Sequence, residues 1–114
     1  MKIHTIKTVN PYFTLARDEI KGFELRKNDR DYKVGDWIIS REYSPELDKY
    51  SDRVLIGKII YALQDFIGLE KGYCILQIQY IESTFDMPIE VKEILNQLGY
   101  SIGDWNGLFA VCIL

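Results

Sequence analysis

The sequence predicts a mainly β, α+β fold. The expected form is a small β-barrel or strongly coiled sheet, with a short helix after the first strand and a C-terminal helix plus strand. Three observations carry this. Short apolar, β-branched runs recur along the chain, separated by Gly, Pro, Asn and Asp. Eight Tyr, five Phe and two Trp make the chain rich in aromatic residues, which favour strands and contact surfaces. Only two segments combine helical spacing with start and stop signals, one early and one late. Five or six strands with so little helix point to a curved sheet rather than a layered α/β fold.

Residues 3–9 read as the first strand. Asn10-Pro11 then reads as an N-cap followed by a proline at the first helical position. Phe13, Ala16 and Ile20 fall at helical spacing across residues 12–21, and Gly22 offers a left-handed stop. The second strand is residues 23–26. There Phe23 and Leu25 are expected to face a core while Glu24 and Arg26 face away, because strand side chains alternate. Val34-Gly35-Asp36 turns the chain into a third strand over residues 37–43. Residues 44–52 form a solvated loop. Residues 53–63 are an apolar run in which Gly57 suggests a bulge or bend. Residues 64–72 connect to the strand at 73–81, where Cys74, Leu76, Ile78 and Tyr80 alternate with Gln77 and Gln79. A second helix runs over residues 87–98, with Asp86 as cap, Val91, Leu95 and Leu98 on one face and Gly99 as stop. Residues 107–114 form a last strand.

At 114 residues the chain has the length of one domain. Its core is expected over about residues 3–80, with 83–114 as a C-terminal extension. The composition, 47% hydrophobic and 27% charged, is that of an ordinary globular protein. A net charge of −3 excludes coating nucleic acid by bulk positive field but leaves room for a local basic site. The N-terminal residues lack the apolar stretch of a signal peptide, and no run reaches the ~20 apolar residues of a membrane helix. A cytoplasmic protein without a membrane partner is therefore expected. Cys74 and Cys112 sit in separate apolar runs and read as two buried, reduced thiols. The single His4 and the cysteine spacing match no metal pattern, and no phosphate-loop, dinucleotide or nucleophile-elbow motif is present. No cofactor and no metal site are expected.

The charge concentrates at residues 17–41, where seven basic residues (17, 21, 26, 27, 30, 33, 41) meet six acidic ones (18, 19, 24, 29, 31, 36). Within this mix, Lys21 could orient a substrate or act as a base, and Arg26 could grip a phosphate or base edge through two donors. Glu24 could accept from an exocyclic amine or take a proton. Pairing alone would equally leave Glu24 tied to Arg26 or Lys21 on a solvated face. Asn28, Asp29 and Arg30 read either as a binding rim or as an ion-paired loop. Tyr43, Tyr61 and Tyr73 are either base-stacking rings or half-buried core.

The run Lys21-x-x-Glu24-x-Arg26, Lys27-Asn28-Asp29-Arg30-Asp31-Tyr32-x-Val34-Gly35-Asp36, then Arg41-Glu42-Tyr43, resembles the ASCH domains of the PUA-like superfamily. It is most similar to the DUF3850 branch found in bacteria and phages, whose pattern is G-x-K-x-F-E-x-R-K-N-D-R-x-F/Y-x-V-G-D. The likeness covers about residues 3–80. It implies a PUA-like β-barrel with a cleft where Lys21, Glu24 and Arg26 meet, and binding of RNA or a nucleotide. Some relatives are enzymes that hydrolyse an acylated cytidine or are linked to RNA cleavage. Two positions depart from the pattern. The family glycine falls at Glu19, and the threonine of the cytidine-amide hydrolases aligns with Glu24, while their distant glutamate has no clear equivalent near Glu70.

The resulting expectation is an RNA- or nucleotide-binding module. Lys21, Glu24, Arg26, Lys27, Asn28, Asp29, Arg30 and Tyr43 are its binding candidates. The alternative is a small hydrolase on a modified nucleoside, or a ribonuclease, with Lys21 and Glu24 as acid–base partners. A third possibility, a protein-interaction domain, would use the aromatic surface. Whether the chain is an enzyme, and its oligomeric state, are left open by the sequence.

Overall fold

The computed structural model describes residues 1–18, 22–81, 84–100 and 110–111. Their order is β1 (Ile3–Thr8), α1 (Tyr12–Arg17), β2 (Phe23–Lys27), β3 (Trp37–Ser44), β4 (Lys49–Gln64), β5 (Tyr73–Tyr80), a 3₁₀ turn (Thr84–Asp86), α2 (Ile89–Gln97) and β6 (Ala110–Val111). The six strands form one sheet in the order β1-β3-β4-β5-β2, with β6 added to β4. β1 runs parallel to β3 and every other pair is antiparallel. The sheet curls into a half-barrel that leaves β1 and β2 as facing edges, so the mainly β, α+β expectation holds.

The curl gives the sheet two different faces. Ile6, Tyr32, Ile38, Ile59, Cys74, Leu76 and Ile78 fill the inner face. One end of this interior is plugged by Phe13 and Ala16 of α1 packed on Leu55. On the outer face, Trp37, Ile39, Val54 and Ile56 are covered by Met87, Val91, Leu95 and Tyr100. β3 is thus apolar on both sides at its start, which is why its sequence lacks a clean alternation. Residues 87–100 supply Met87, Val91, Leu95 and Tyr100 to this outer core.

Each helix end has a local cause. Asn10 Oδ1 accepts hydrogen bonds from the Thr14 amide (3.2 Å) and hydroxyl (2.7 Å), so Asn10 satisfies the first turn of α1 from just outside it. Pro11, joined to Asn10 by a cis peptide bond, takes the cap position itself. The helix stops at Arg17, earlier than the expected residue 21, and its C-cap is Asp18, whose amide bonds back to Thr14 O. α2 begins after Pro88; Asp86 belongs to the preceding 3₁₀ turn rather than capping the helix. Its other end is a Schellman motif. The Gly99 amide bonds to Asn96 O (3.1 Å) and the Tyr100 amide to Leu95 O (2.9 Å), with Gly99 at φ +93°.

Three further expectations are corrected. The segment expected as a loop over residues 44–52 already contains the start of β4, because Tyr43 pairs with Tyr50 and Ser44 with Lys49 in a tight hairpin. A bulge or bend was expected at Gly57, and the register shifts lie instead between Ile59 and Tyr61 and between Arg41 and Tyr43. Gly57 serves close packing: a Cβ there would fall 2.5 Å from Ile78 Cγ2 and 2.9 Å from Tyr80 Cδ1. The third correction concerns β2. Glu24 is buried at 6% exposure, while Phe23 and Leu25 are 55% and 56% exposed. Pairing sets this orientation: Glu24 lies opposite Leu76 and Arg26 opposite Cys74, both of which face the interior. The charged half of β2 faces inward. Of the last expected strand, only residues 110–111 are described, and Cys112 lies outside the described residues.

β1 is tied to the turn before β3 by Asp36. Its carboxylate accepts from His4 Nε2 (2.9 Å), the Lys2 amide (3.0 Å) and the Lys33 amide (3.1 Å). Gly35, at φ +94°, makes the turn that presents it. The close contact at Gly57 leads to a first prediction. Gly57→Ala should lower the unfolding free energy by about 1–3 kcal/mol, the usual cost of overpacking. Urea denaturation would measure it, and an unchanged midpoint would show that β5 shifts freely to make room.

Candidate functional site: an arginine-spanned cleft between the sheet edges

β1 and β2 do not pair, although they close the curl. Side chains bridge the gap instead. Arg26 Nη2 donates to Lys7 O (2.7 Å) and Arg30 Nη1 to Thr5 O (2.5 Å). Thr5 and Lys7 are alternate residues of one strand, so both carbonyls point toward the same edge. Direct backbone pairing would need strands ~4.8 Å apart, and a guanidinium occupies the space instead.

Above this seam lies a cleft of about 580 Å³, lined by Lys7, Thr8 and Val9 of β1 and its exit, Tyr12 and Leu15 of α1, and Phe23, Glu24, Leu25 and Arg26 of β2. Glu24 is its buried carboxylate, and Arg26 Nε donates to Glu24 Oε2 at 3.2 Å. Burial pushes the Tyr80 hydroxyl well above the usual tyrosine range, and the negative charge of Glu24 adds to that push. On the inner wall, the Thr8 and Ser40 hydroxyls share a 2.5 Å hydrogen bond. Among the described residues, the cleft therefore offers the Glu24 carboxylate, the Arg26 guanidinium, the Lys7 ammonium and the Thr8 and Tyr12 hydroxyls against an apolar wall of Val9, Leu15, Phe23 and Leu25.

The other candidates are placed as follows. Lys21 lies outside the described residues. Asn28 holds the loop after β2: its Nδ2 donates to Gln64 Oε1 (2.8 Å) and its Oδ1 accepts from the Tyr32 amide (3.1 Å). Arg30 bridges the seam below the cleft. Asp29 is exposed on the same loop, and Lys27 is exposed on the outer face with Leu25. Tyr61 is exposed and Tyr73 half-buried on that outer face. Tyr43 lines a different cavity.

That second cavity, about 570 Å³, borders the β3–β4 hairpin. Its floor is a network that spacing did not reveal. Arg53 donates from Nε to Glu42 Oε1 (2.9 Å) and from Nη2 to Glu42 Oε2 (2.5 Å), and Asn10 Nδ2 donates to Oε2 (2.6 Å). Burial raises the Glu42 pKa, but the hydrogen bonds from Arg53, Ser51 and Asn10 outweigh it and hold the carboxyl below its ordinary value. β3 carries Arg41 beside Glu42 and β4 carries Asp52 beside Arg53, so no single charge stood out as the buried one. Above the floor, the Tyr43 and Tyr50 rings meet edge-on at 5.1 Å, and Tyr43 donates its hydroxyl to Asp48. Arg41 lies 3.6 Å over Tyr50, and its Nε donates to the Tyr100 hydroxyl (3.0 Å). A larger groove of about 840 Å³ runs past Trp37, Lys58, Gln77 and Asp86, and none of its lining among the described residues is one of the binding candidates.

Residues 3–78 match the family model described as Domain of unknown function (DUF3850), and the chain belongs to that family. The match runs from β1 into β5 and includes both cavities, but stops before α2. No curated protein matches the chain. No helix among the described residues is long and apolar enough to cross a membrane.

Two buried carboxylates fix a pH dependence. Burial raises the Asp36 pKa, but the bonds from His4, Lys2 and Lys33 prevail and lower it, as Glu42's is lowered. Groups with depressed folded-state values stabilise fully above their ordinary pKa values, here 3.8 and 4.5, and lose that contribution as the pH falls through the lowered ones. Stability should therefore decline below about pH 4. In a double variant, Asp36→Asn with Glu42→Gln, the decline should flatten while stability at neutral pH drops. Thermal unfolding between pH 2.5 and 7 checks this, and parallel profiles for the two proteins would contradict it.

Proposed function

We propose that this chain is a PUA-like module of the ASCH type that binds RNA or a nucleotide in the cleft between β1 and β2. One observation carries the reading: a buried carboxylate and a guanidinium share a cleft walled by Tyr12, Leu15, Phe23 and Leu25. Its volume of about 580 Å³ lies within the ~300–1,000 Å³ of small-ligand sites. The apolar wall suits the flat face of a base, since stacking on aromatic side chains is the common way of holding an unpaired base. Glu24 is suited to accept from the exocyclic amine of cytosine. Arg26 presents a planar fork of donors that fits a phosphate or a base acceptor. Lys7, which also lines the cleft, supplies a second cation.

A local site of this kind agrees with a chain of net charge −3. Such a protein would take one or a few nucleotides rather than coat a duplex, and salt would weaken binding only modestly.

We expect the native protein to bind nucleoside monophosphates or short single-stranded RNA, measured by calorimetry at two salt concentrations. Glu24→Gln should weaken the preferred base by about 1–3 kcal/mol and blur base preference. Arg26→Ala should reduce the salt slope by about one phosphate's worth. Absence of binding by the native, folded protein would refute the proposal. Chromatography of the same mixtures tests for hydrolysis, which would appear as altered ligand in the native sample and not with Glu24→Gln.

A further inference from the structure

We infer that the cavity on the β3–β4 hairpin is a second nucleotide subsite, and that the ligand is a single strand of at least two linked nucleotides. This rests on the nucleotide reading of the Glu24 cleft and extends it. The two cavities adjoin: Val9 lines both. Lys7 also lines the first, and its ammonium stands 4.4 Å from the centre of the Tyr43 ring at the edge of the second. A strand leaving the Glu24 cleft toward Tyr43 passes that ammonium, which is where the phosphate linking two nucleotides would lie.

The second cavity is built to stack rather than to read. An ionised carboxylate has about four acceptor positions. Glu42 already takes two hydrogen bonds from Arg53 and one from Asn10. Most of its acceptor capacity is used within the protein, so its network fixes the floor. The walls are Tyr43 and Tyr50, both half-buried, oriented edge-to-face. Arg41 packs on Tyr50 and bonds Tyr100, so the ring is held before any ligand arrives. Stacking on fixed rings tolerates any base, because every base has a π-face. The inner cleft then selects a base, and the hairpin cavity adds affinity for whichever nucleotide follows.

The test compares a mononucleotide with the di- and tetranucleotide RNAs that begin with the same base, titrated into the native protein and into Tyr50→Ala, Tyr43→Ala and Tyr43→Phe. In the native protein the dinucleotide should bind about 10-fold more tightly than the mononucleotide, the scale of one added stack. That ratio should fall toward one in Tyr50→Ala and Tyr43→Ala and return in Tyr43→Phe, which keeps the ring. The ratio should be insensitive to the identity of the second base. Circular dichroism and the thermal midpoint establish that each variant is folded, and Tyr43→Phe provides the reading if an alanine variant is not. Equal affinity for one and two nucleotides in the native protein would overturn the second subsite while leaving the first in place. A length advantage that survives both alanine substitutions would also overturn it. Failure of every nucleotide to bind would instead remove the Glu24 reading, and this one with it.

Discussion

The open edge between β1 and β2 is the constraint on which the rest of this structure depends. A sheet that curls this far ordinarily either closes by backbone pairing or protects its edges. Here two arginines reach across and donate to the Lys7 and Thr5 carbonyls. Charge-assisted hydrogen bonds of this type are stronger than neutral ones, though exposure to water discounts both. The result is a closed outline with a slot in its wall. The slot's depth comes from α1, which stands over one end, and its charge comes from β2.

That arrangement explains the inverted strand. With Glu24 and Arg26 outward, Arg26 could not both hold the inner carboxylate and bridge to β1. Facing inward, it does both, with 3.2 Å to Glu24 and 2.7 Å to Lys7 O. Phe23 and Leu25 are left on the outer side, beyond the cover supplied by α2, where they form the lip of the cleft. An exposed Phe and Leu beside a buried Glu are unfavourable for stability taken alone. Departures of that sort from the usual burial pattern tend to cluster where a protein binds something.

Much of this was legible in the sequence, and the failures have physical causes. The alternation in β5 and the Gly99 stop of α2 read correctly because each signal is local. For β2, alternation correctly separated two sets of side chains, but hydrophobicity assigned the wrong set inward. Partner register decided that choice, through Leu76 and Cys74. Gly57 signalled a close backbone approach, and a bulge uses the same signal. The Glu42–Arg53 pair, brought together by the hairpin, has no spacing that announces it. The R-K-N-D-R…V-G-D run stood out most, and most of it is scaffold. Arg26 and Arg30 span the seam, Asn28 shapes a loop, Tyr32 packs 4.6 Å from His4, and Asp36 anchors β1. The motif and the slot coincide because the residues that build the slot also surround it.

The central claim is that the seam is the binding cleft. It is tested most directly by recording amide NMR spectra while titrating cytidine 5′-monophosphate into the labelled protein. The account predicts shift changes concentrated on Thr5 to Val9, on Tyr12 and Leu15, and on Phe23 to Arg26, with Tyr61 on the outer face of β4 unmoved. Changes centred on that outer face, or along the groove past Trp37 and Lys58, would contradict it.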